Sequence, residues 1–193
     1  ALPPLYAHQR DAISALNRHS DSTIIHLPTG SGKTRIAIEF VAHILSQSPS
    51  ATVLWVSYPT QLIRQAMVRV VQCSELFPDG LSFRWLDSSV DGRRIPNTLQ
   101  DHQIVFLLRD TLTALLDDVD AAPKSSPLRR HLCSSLPLVV IYDECHQLGA
   151  RRLQSGWRTL IKRRSEAFGW PRIVGLSATP LPRNPRRRTL LRK

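Results

Sequence analysis

Lysine is nearly missing from this chain. Among its 26 basic residues only Lys33, Lys124, Lys162 and Lys193 are lysines, and only 15 acidic residues oppose them. The resulting formal net charge of +11 is therefore carried by arginine. A guanidinium presents a planar fork that grips two oxygens of a phosphate, which an ammonium cannot do. An excess of this size favours a polyanionic partner, nucleic acid ahead of a membrane surface. Charge alone leaves open a soluble protein with a basic surface. Cysteine is scarce as well: Cys73, Cys133 and Cys145 have no metal-ligand spacing, and three thiols cannot all pair with one another. That argues against a disulfide framework and for reduced thiols in an intracellular setting. Long apolar runs are absent too. Residues 138–142 form the longest strand-like one, far short of the roughly 20 residues a bilayer-spanning helix needs. The N-terminus lacks a charged segment followed by an apolar stretch, so no secretory signal is visible. The expectation is a soluble, cytoplasmic protein without a membrane partner.

What the chain does have is organised around Leu27-Pro28-Thr29-Gly30-Ser31-Gly32-Lys33-Thr34. A β-branched run, Thr23-Ile24-Ile25, precedes it, and Arg35-Ile36-Ala37-Ile38-Glu39-Phe40-Val41-Ala42 follows with helical periodicity. Strand, glycine-rich turn and helix form the setting in which a phosphate-binding loop makes physical sense. Glycines let successive backbone N–H groups converge on an anion, and the helix N-terminus adds its positive end. In that reading Lys33 reaches the β- and γ-phosphates and the Thr34 hydroxyl holds Mg²⁺. The general pattern asks for glycine where Leu27 stands, so a glycine turn with a chance Gly-Lys-Thr is the competing reading of this stretch alone.

At 193 residues and 42% hydrophobic content, the chain suits one domain with a real core. Leu5, Gln9, Ile13 and Leu16 share one helical face, so Gln9 stands among apolar residues. Its amide can read an adenine edge or be satisfied by backbone. The helix after the phosphate loop should run to about Gln47, before Ser48-Pro49-Ser50. Further strands are expected at residues 51–57, 103–108, 138–142 and 171–176, with a weaker one at Phe83-Arg84-Trp85. Helices are expected over 60–71, 111–118 and 155–168, with turn-like residues at 87–92 and an exposed loop over 120–127. Strands alternating with helices imply an α/β fold, a mostly parallel sheet with helices on both faces. Domain boundaries follow: residues 1–180 as the domain and 181–193 as a basic, flexible tail.

Two acids, Asp143-Glu144, stand directly after the apolar strand 138–142. Parallel α/β sheets place their ligands beyond the carboxyl ends of strands. Asp143 there can help hold Mg²⁺ opposite Thr34, and Glu144 can orient or deprotonate an attacking water. Two acids that merely begin the next helix are the alternative. Phosphoryl transfer needs positioning and charge neutralisation above all, and Lys33, Thr34, Asp143 and Glu144 supply those parts.

With these motifs in order, residues from about 5 to 180 resemble the first RecA-like domain of a superfamily 2 DEAD/DEAH-box helicase, nearest the restriction-enzyme-subunit type. That family's first motif commonly reads Pro-Thr-Gly-Ser-Gly-Lys-Thr, as at Pro28 to Thr34, so Leu27 is in keeping with it. Asp143-Glu144-Cys145-His146 resembles the second motif as a DECH variant, and Ser177-Ala178-Thr179 the third.

The resemblance implies an ATP-binding motor domain of a helicase or translocase acting on DNA or RNA, with DNA favoured, ATP and Mg²⁺ as cofactors, and a RecA-like P-loop NTPase fold. It implies catalytic roles for Lys33, Asp143 and Glu144, and nucleotide binding by Gln9, Thr29, Gly30, Ser31, Gly32, Lys33 and Thr34. Metal would fall to Thr34 and Asp143, and coupling between ATP site and domain movement to His146, Ser177 and Thr179. Tyr58-Pro59-Thr60-Gln61-Leu62 and Arg109-Asp110-Thr111 stand near the family's nucleic-acid-contacting motifs but depart from their usual spacing and residues. Family enzymes close ATP against a second RecA-like domain, which is absent from this chain, so little turnover is expected of the chain alone. A nucleotide-dependent binding or regulatory module without unwinding is the other reading, and a small-molecule P-loop kinase a distant third.

Overall fold

The computed structural model describes residues 2–77, 81–86, 103–117, 137–145 and 171–179. In chain order these form α1 (Ala7–Arg18), β1 (Thr23–His26), α2 (Lys33–Gln47), β2 (Thr52–Ser57), α3 (Thr60–Gln72), a short 3-10 turn (Ser74–Leu76), β3 (Phe83–Leu86), β4 (Ile104–Leu108), α4 (Arg109–Asp117), β5 (Leu138–Asp143) and β6 (Arg172–Ser177). The strands make one six-stranded sheet in the order β1-β6-β5-β2-β4-β3, and every neighbouring pair is parallel.

The sequence explains this order of burial. All six residues of β2 are buried, as are residues 104–107 of β4 and 138–142 of β5. Parallel strands covered on both faces read as continuous apolar runs, and these do. By contrast β3 is short, carries Arg84 and is mostly half-buried, in keeping with its place at the sheet edge. Alternate residues of the central strands, Val53 and Trp55, Ile104 and Phe106, Val139 and Ile141, join the core beneath α2 and α3. Trp55 and Phe106 meet with ring centroids 5.8 Å apart, and Phe83 stands edge-on to Phe106 at 5.9 Å, a favoured aromatic geometry.

Helix α2 is the keystone of that layer. It buries Ile36, Ala37, Ile38, Phe40, Val41, Ala42 and Leu45, and a helix apolar on most of its surface must be enclosed. It touches α1, α3 and β6. Arg172, at the start of β6, lays its guanidinium 4.6 Å from the centre of the Phe40 ring and donates to the Leu16 carbonyl. One side chain thus ties the sheet to both α1 and α2, by a cation–π contact and a hydrogen bond.

The expected strands and the helices over 60–71 and 33–47 match the structure closely. Helix α4 starts at Arg109, two residues ahead of expectation, because Arg109 and Asp110 form its first turn. The Thr113 hydroxyl donates to the Arg109 carbonyl at 2.9 Å within that turn, and Asp110 suits the positive end of the helix. The expected turn at 87–92, loop at 120–127, helix at 155–168 and tail at 181–193 lie outside the described residues. Among the described residues, no helix is long and apolar enough to cross a membrane.

Gly175 sits on β6 opposite Ile24 of β1 and Tyr142 of β5. A Cβ there would lie 2.8 Å from Cys145 Sγ, 3.0 Å from Cys145 Cβ and 3.3 Å from Ile24 Cγ1. Cys145 is buried and cannot retreat into solvent. Gly175→Ala is therefore expected to destabilise the chain by about 1–3 kcal/mol, the usual cost of overpacking. Denaturant unfolding checks this; an unchanged midpoint would mean that the neighbouring strand ends yield freely.

Candidate nucleotide site

Strands β1, β6 and β5 finish level with one another. His26 pairs with Ser177 and Leu176 with Asp143, and the Leu27 N–H donates to the Ser177 carbonyl at 3.2 Å, one rung beyond β1. The last residues of these strands and the segments just beyond them carry every expected site residue that the structure describes, apart from Gln9. His146 lies outside the described residues.

The loop after β1 is shaped by two glycines, for two different reasons. Gly30 has φ +79°, and a Cβ added there would meet nothing within 4 Å, so conformation alone calls for glycine. Gly32 has φ +85°, and a Cβ there would lie 2.1 Å from Gln9 Nε2. Between them Ser31 closes the turn: its N–H and its hydroxyl both donate to the Pro28 carbonyl, at 3.3 and 2.7 Å. Leu27 packs its side chain against the core, so the missing glycine leaves no gap in the loop. Lys33, the first residue of α2, donates through Nζ to the carbonyls of Leu27 at 3.0 Å and Pro28 at 3.1 Å. Its ammonium therefore sits over the loop. No acidic residue stands in the first turn of α2, which leaves the positive end of the helix to an incoming anion.

Helix α1 reaches this loop through adjacent residues. Gln9 is only 6% exposed; its Oε1 accepts the Tyr6 N–H at 3.0 Å and its Nε2 donates to the Ser31 carbonyl at 3.0 Å. The expectation that Gln9 stands among apolar residues holds, and its amide faces the loop. His8 Nε2 lies 3.0 Å from the same Ser31 carbonyl. The Tyr6 ring is stacked on the His8 ring, centroids 5.9 Å apart and planes 6° apart, yet Tyr6 stays 70% exposed. Nothing in the sequence pattern singles out His8, because it lies off the apolar face that draws attention to Gln9.

The acids occupy the other side. Asp143 closes β5, and its Oδ1 accepts the Glu144 N–H at 3.1 Å. Glu144 has φ +52°, an unusual backbone for a residue with a side chain and one that recurs at functional sites. Burial, reinforced by Glu144, pushes the Asp143 carboxyl up to about 6, while the Glu144 N–H and the Lys33 charge pull the other way. Lys33 and Asp143 thus feel each other across the site. Burial also pushes the Cys145 thiol up to about 12, making it a packing group and not a nucleophile. Ser177, fully buried, donates from Oγ to the Thr179 carbonyl at 2.9 Å and accepts the Thr179 N–H at 3.2 Å. This closes a tight turn directly beside Leu27.

Chemically, a glycine loop leading into a helix N-terminus, an ammonium and a half-buried carboxylate can take a polyphosphate with its cation. Mg²⁺ is generally held by one or two carboxylates together with the phosphates themselves. Asp143 supplies a carboxylate at the end of β5 and Thr34 a hydroxyl in the first turn of α2, the sparse kind of donor set that would hold such a cation. Away from this site, Ser57 pairs with Leu108, which brings together the two stretches that depart from the nucleic-acid motifs. There the Arg109 guanidinium lies 4.4 Å from the centre of the Tyr58 ring and pairs with Asp110 at 3.1 Å.

Fold and loop together define a P-loop domain of RecA-like architecture. The chain belongs to the family described as type III restriction enzyme, res subunit, whose sequence profile matches residues 3–181. None of the curated protein sequences matches the chain. Solved structures of the same fold include the DUF1998 helicase MrfA bound to DNA, with TM-score 0.71, 18% identity, 97% of this chain and 26% of that chain covered. The UvsW helicase of bacteriophage T4 matches with TM-score 0.63 and 16% identity over 92% of this chain and 53% of that chain. The Sulfolobus solfataricus SWI2/SNF2 ATPase core in complex with dsDNA gives 0.62 and 14%, over 98% and 36%. The chain thus spans between about a quarter and a half of these structures.

The Asp143 carboxyl makes stability depend on pH. Its value rises from 3.8 to about 6 on folding, so the folded chain holds a proton that the unfolded chain has lost between about pH 4 and pH 6. Stability from this group is greatest below that window, falls as pH rises through it, and stays low above it. Asp143→Asn keeps an Oδ1 acceptor for Glu144 and removes the charge. With chelator present it is expected to exceed wild type by about 1–2 kcal/mol above pH 7, with the difference gone below about pH 4. Denaturation curves at the two pH values check this. A wild type more stable than Asp143→Asn at pH 8 would contradict it.

Proposed function

We propose that this chain is the ATP-binding motor domain of a nucleic-acid helicase or translocase, coupling ATP hydrolysis to movement on DNA or RNA. One observation carries the reading: Lys33, on a loop with two left-handed glycines, shares one sheet end with the half-buried Asp143, and its charge acts on that carboxyl. The loop of residues 29–34 cradles the phosphates, and Lys33 reaches the terminal ones. Thr34 and Asp143 hold Mg²⁺, which when bound neutralises charge on the phosphate oxygens. Glu144, whose backbone turns it away from the line of β5, orients the attacking water. Gln9 recognises the base with the amide hydrogen and lone pair that Ser31 and Tyr6 do not use, and Ser177, Thr179 and His146 relay the state of the site to a neighbouring domain.

Charge supports the nucleic-acid partner, since a +11 chain rich in arginine suits a phosphate backbone. DNA is favoured over RNA because two similar structures were solved with DNA bound. A second RecA-like domain in a longer protein would supply the arginine that completes the site. A trans arginine is worth about 10³–10⁵ in rate in related hydrolases, so this chain alone is expected to bind ATP but turn it over slowly.

Calorimetric titration with Mg-ATP tests the reading. Wild type should bind, and Lys33→Ala should lose at least about tenfold in affinity, the scale of hydrogen bonds to a charged group. Glu144→Gln should bind normally while ATP hydrolysis and strand displacement by the longer protein fall by orders of magnitude. Equal ATP binding by Lys33→Ala would sink the nucleotide site. Binding without any strand displacement or translocation would instead favour a nucleotide-dependent regulatory module. Nucleic-acid affinity should drop steeply as salt rises.

A further inference from the structure

The Ser31 carbonyl receives two side-chain donors from a different element. Gln9 Nε2 and His8 Nε2, on consecutive residues of α1, each stand 3.0 Å from it. A carbonyl oxygen has two lone pairs and donates nothing, so the two contacts saturate it and require the His8 hydrogen to be on Nε2. The next carbonyl, Gly32, is already the first acceptor of α2, taking the Ile36 N–H at 3.1 Å. The Ser31 carbonyl therefore lies one residue outside the helical ladder, and among the described residues no backbone N–H bonds to it. In a trans peptide the C=O and the following N–H point in opposite directions. The peptide bond between Ser31 and Gly32 is not among the cis bonds of the described residues. Holding the Ser31 oxygen against α1 thus turns the Gly32 N–H away from α1. Gly32 cannot gain a side chain without striking Gln9, so this close approach is built into the loop. His8 is in turn held flat by the parallel Tyr6 ring.

We propose that His8 is a positioning residue of the phosphate-binding loop: with Gln9 it fixes the Ser31 carbonyl and so aims the Gly32 N–H at the phosphates. The inference rests on the reading that this loop holds a nucleoside triphosphate, and it assigns the α1 contact a phosphate-side role distinct from recognition of the base. Loss of His8 frees one lone pair of the carbonyl and leaves Gln9 alone to hold the peptide plane. Every ligand that carries the triphosphate then binds more weakly, whatever base it bears.

The test compares Mg-ATP with inorganic tripolyphosphate, which has no base, in competition against a fluorescent ATP analogue. His8→Ala should weaken both by the same factor, about three- to tenfold, the range spanned by one hydrogen bond. His8→Gln, which can place a donor at a similar reach, should restore both to within about twofold. His8 is exposed, and thermal melts of the variants, expected to match wild type, show that folding is not the cause. A loss confined to ATP would place His8 on the base side and overturn the inference, as would unchanged affinities or a failure of His8→Gln to restore binding. So would a wild type that binds ATP but ignores tripolyphosphate. A wild type that binds no ATP would overturn the underlying nucleotide reading itself.

Discussion

The bond from the Leu27 N–H to the Ser177 carbonyl carries the pairing of β1 and β6 one rung past the last residue of β1. At that rung the chain stops building core and starts building the site. On one side it holds the base of the glycine loop to the sheet; on the other it fixes the turn that Ser177 closes with Thr179. Because β6 lies between β1 and β5, the same strand also sets how far the loop stands from Asp143. Lys33 and Asp143 come within electrostatic reach because a parallel ladder keeps three strand ends level, without any direct bond between the two side chains among those described.

A rigid layer under the loop makes this level useful. Helix α2 begins at Lys33 and is enclosed by α1, α3 and the sheet, so the first turn of the helix has little freedom to shift. The loop itself is less enclosed at its tip, where a side chain on Gly30 would meet nothing within 4 Å. Preorganised dipoles on such a base contribute to charge stabilisation because they need not reorient when charge develops. The raised Asp143 carboxyl reflects its partial burial: a half-buried acid beside Glu144 is costly to ionise until a cation arrives to offset it.

Most of the architecture could be read from residue order. Buried parallel strands announce themselves as apolar runs, and β2, β4 and β5 do so plainly; the phosphate loop and the acid pair stand out because glycine, lysine and carboxylates interrupt those runs. What stayed illegible has a physical reason in each case. His8 earns its place through a contact 23 residues away in sequence, which no local periodicity encodes. The left-handed backbone of Glu144 leaves no mark in the sequence, where a short acidic stretch alone suggests only a turn or a helix start. The early start of α4 arises because Arg109 leaves β4 directly into a helical turn while its side chain covers Tyr58, a choice that propensity does not dictate.

The missing side chain at Gly175 and the thiol at Cys145 occupy what amounts to one shared volume. Such a volume can be divided only one way at a time. Alanine at the cysteine position would remove the 2.8 Å contact with Sγ and keep the 3.0 Å contact with Cβ, so it would ease the fit of a methyl group on β6, while a bulkier residue there would worsen it. The two positions should therefore drift together through evolution, and the pair should reveal itself as a size-compensating covariation linking the acid turn to the strand that ends in the Ser177 turn. Since one member stands beside the acids and the other two residues before Ser177, that compensation couples the spacing of two functional segments through a contact that takes no part in the chemistry of either.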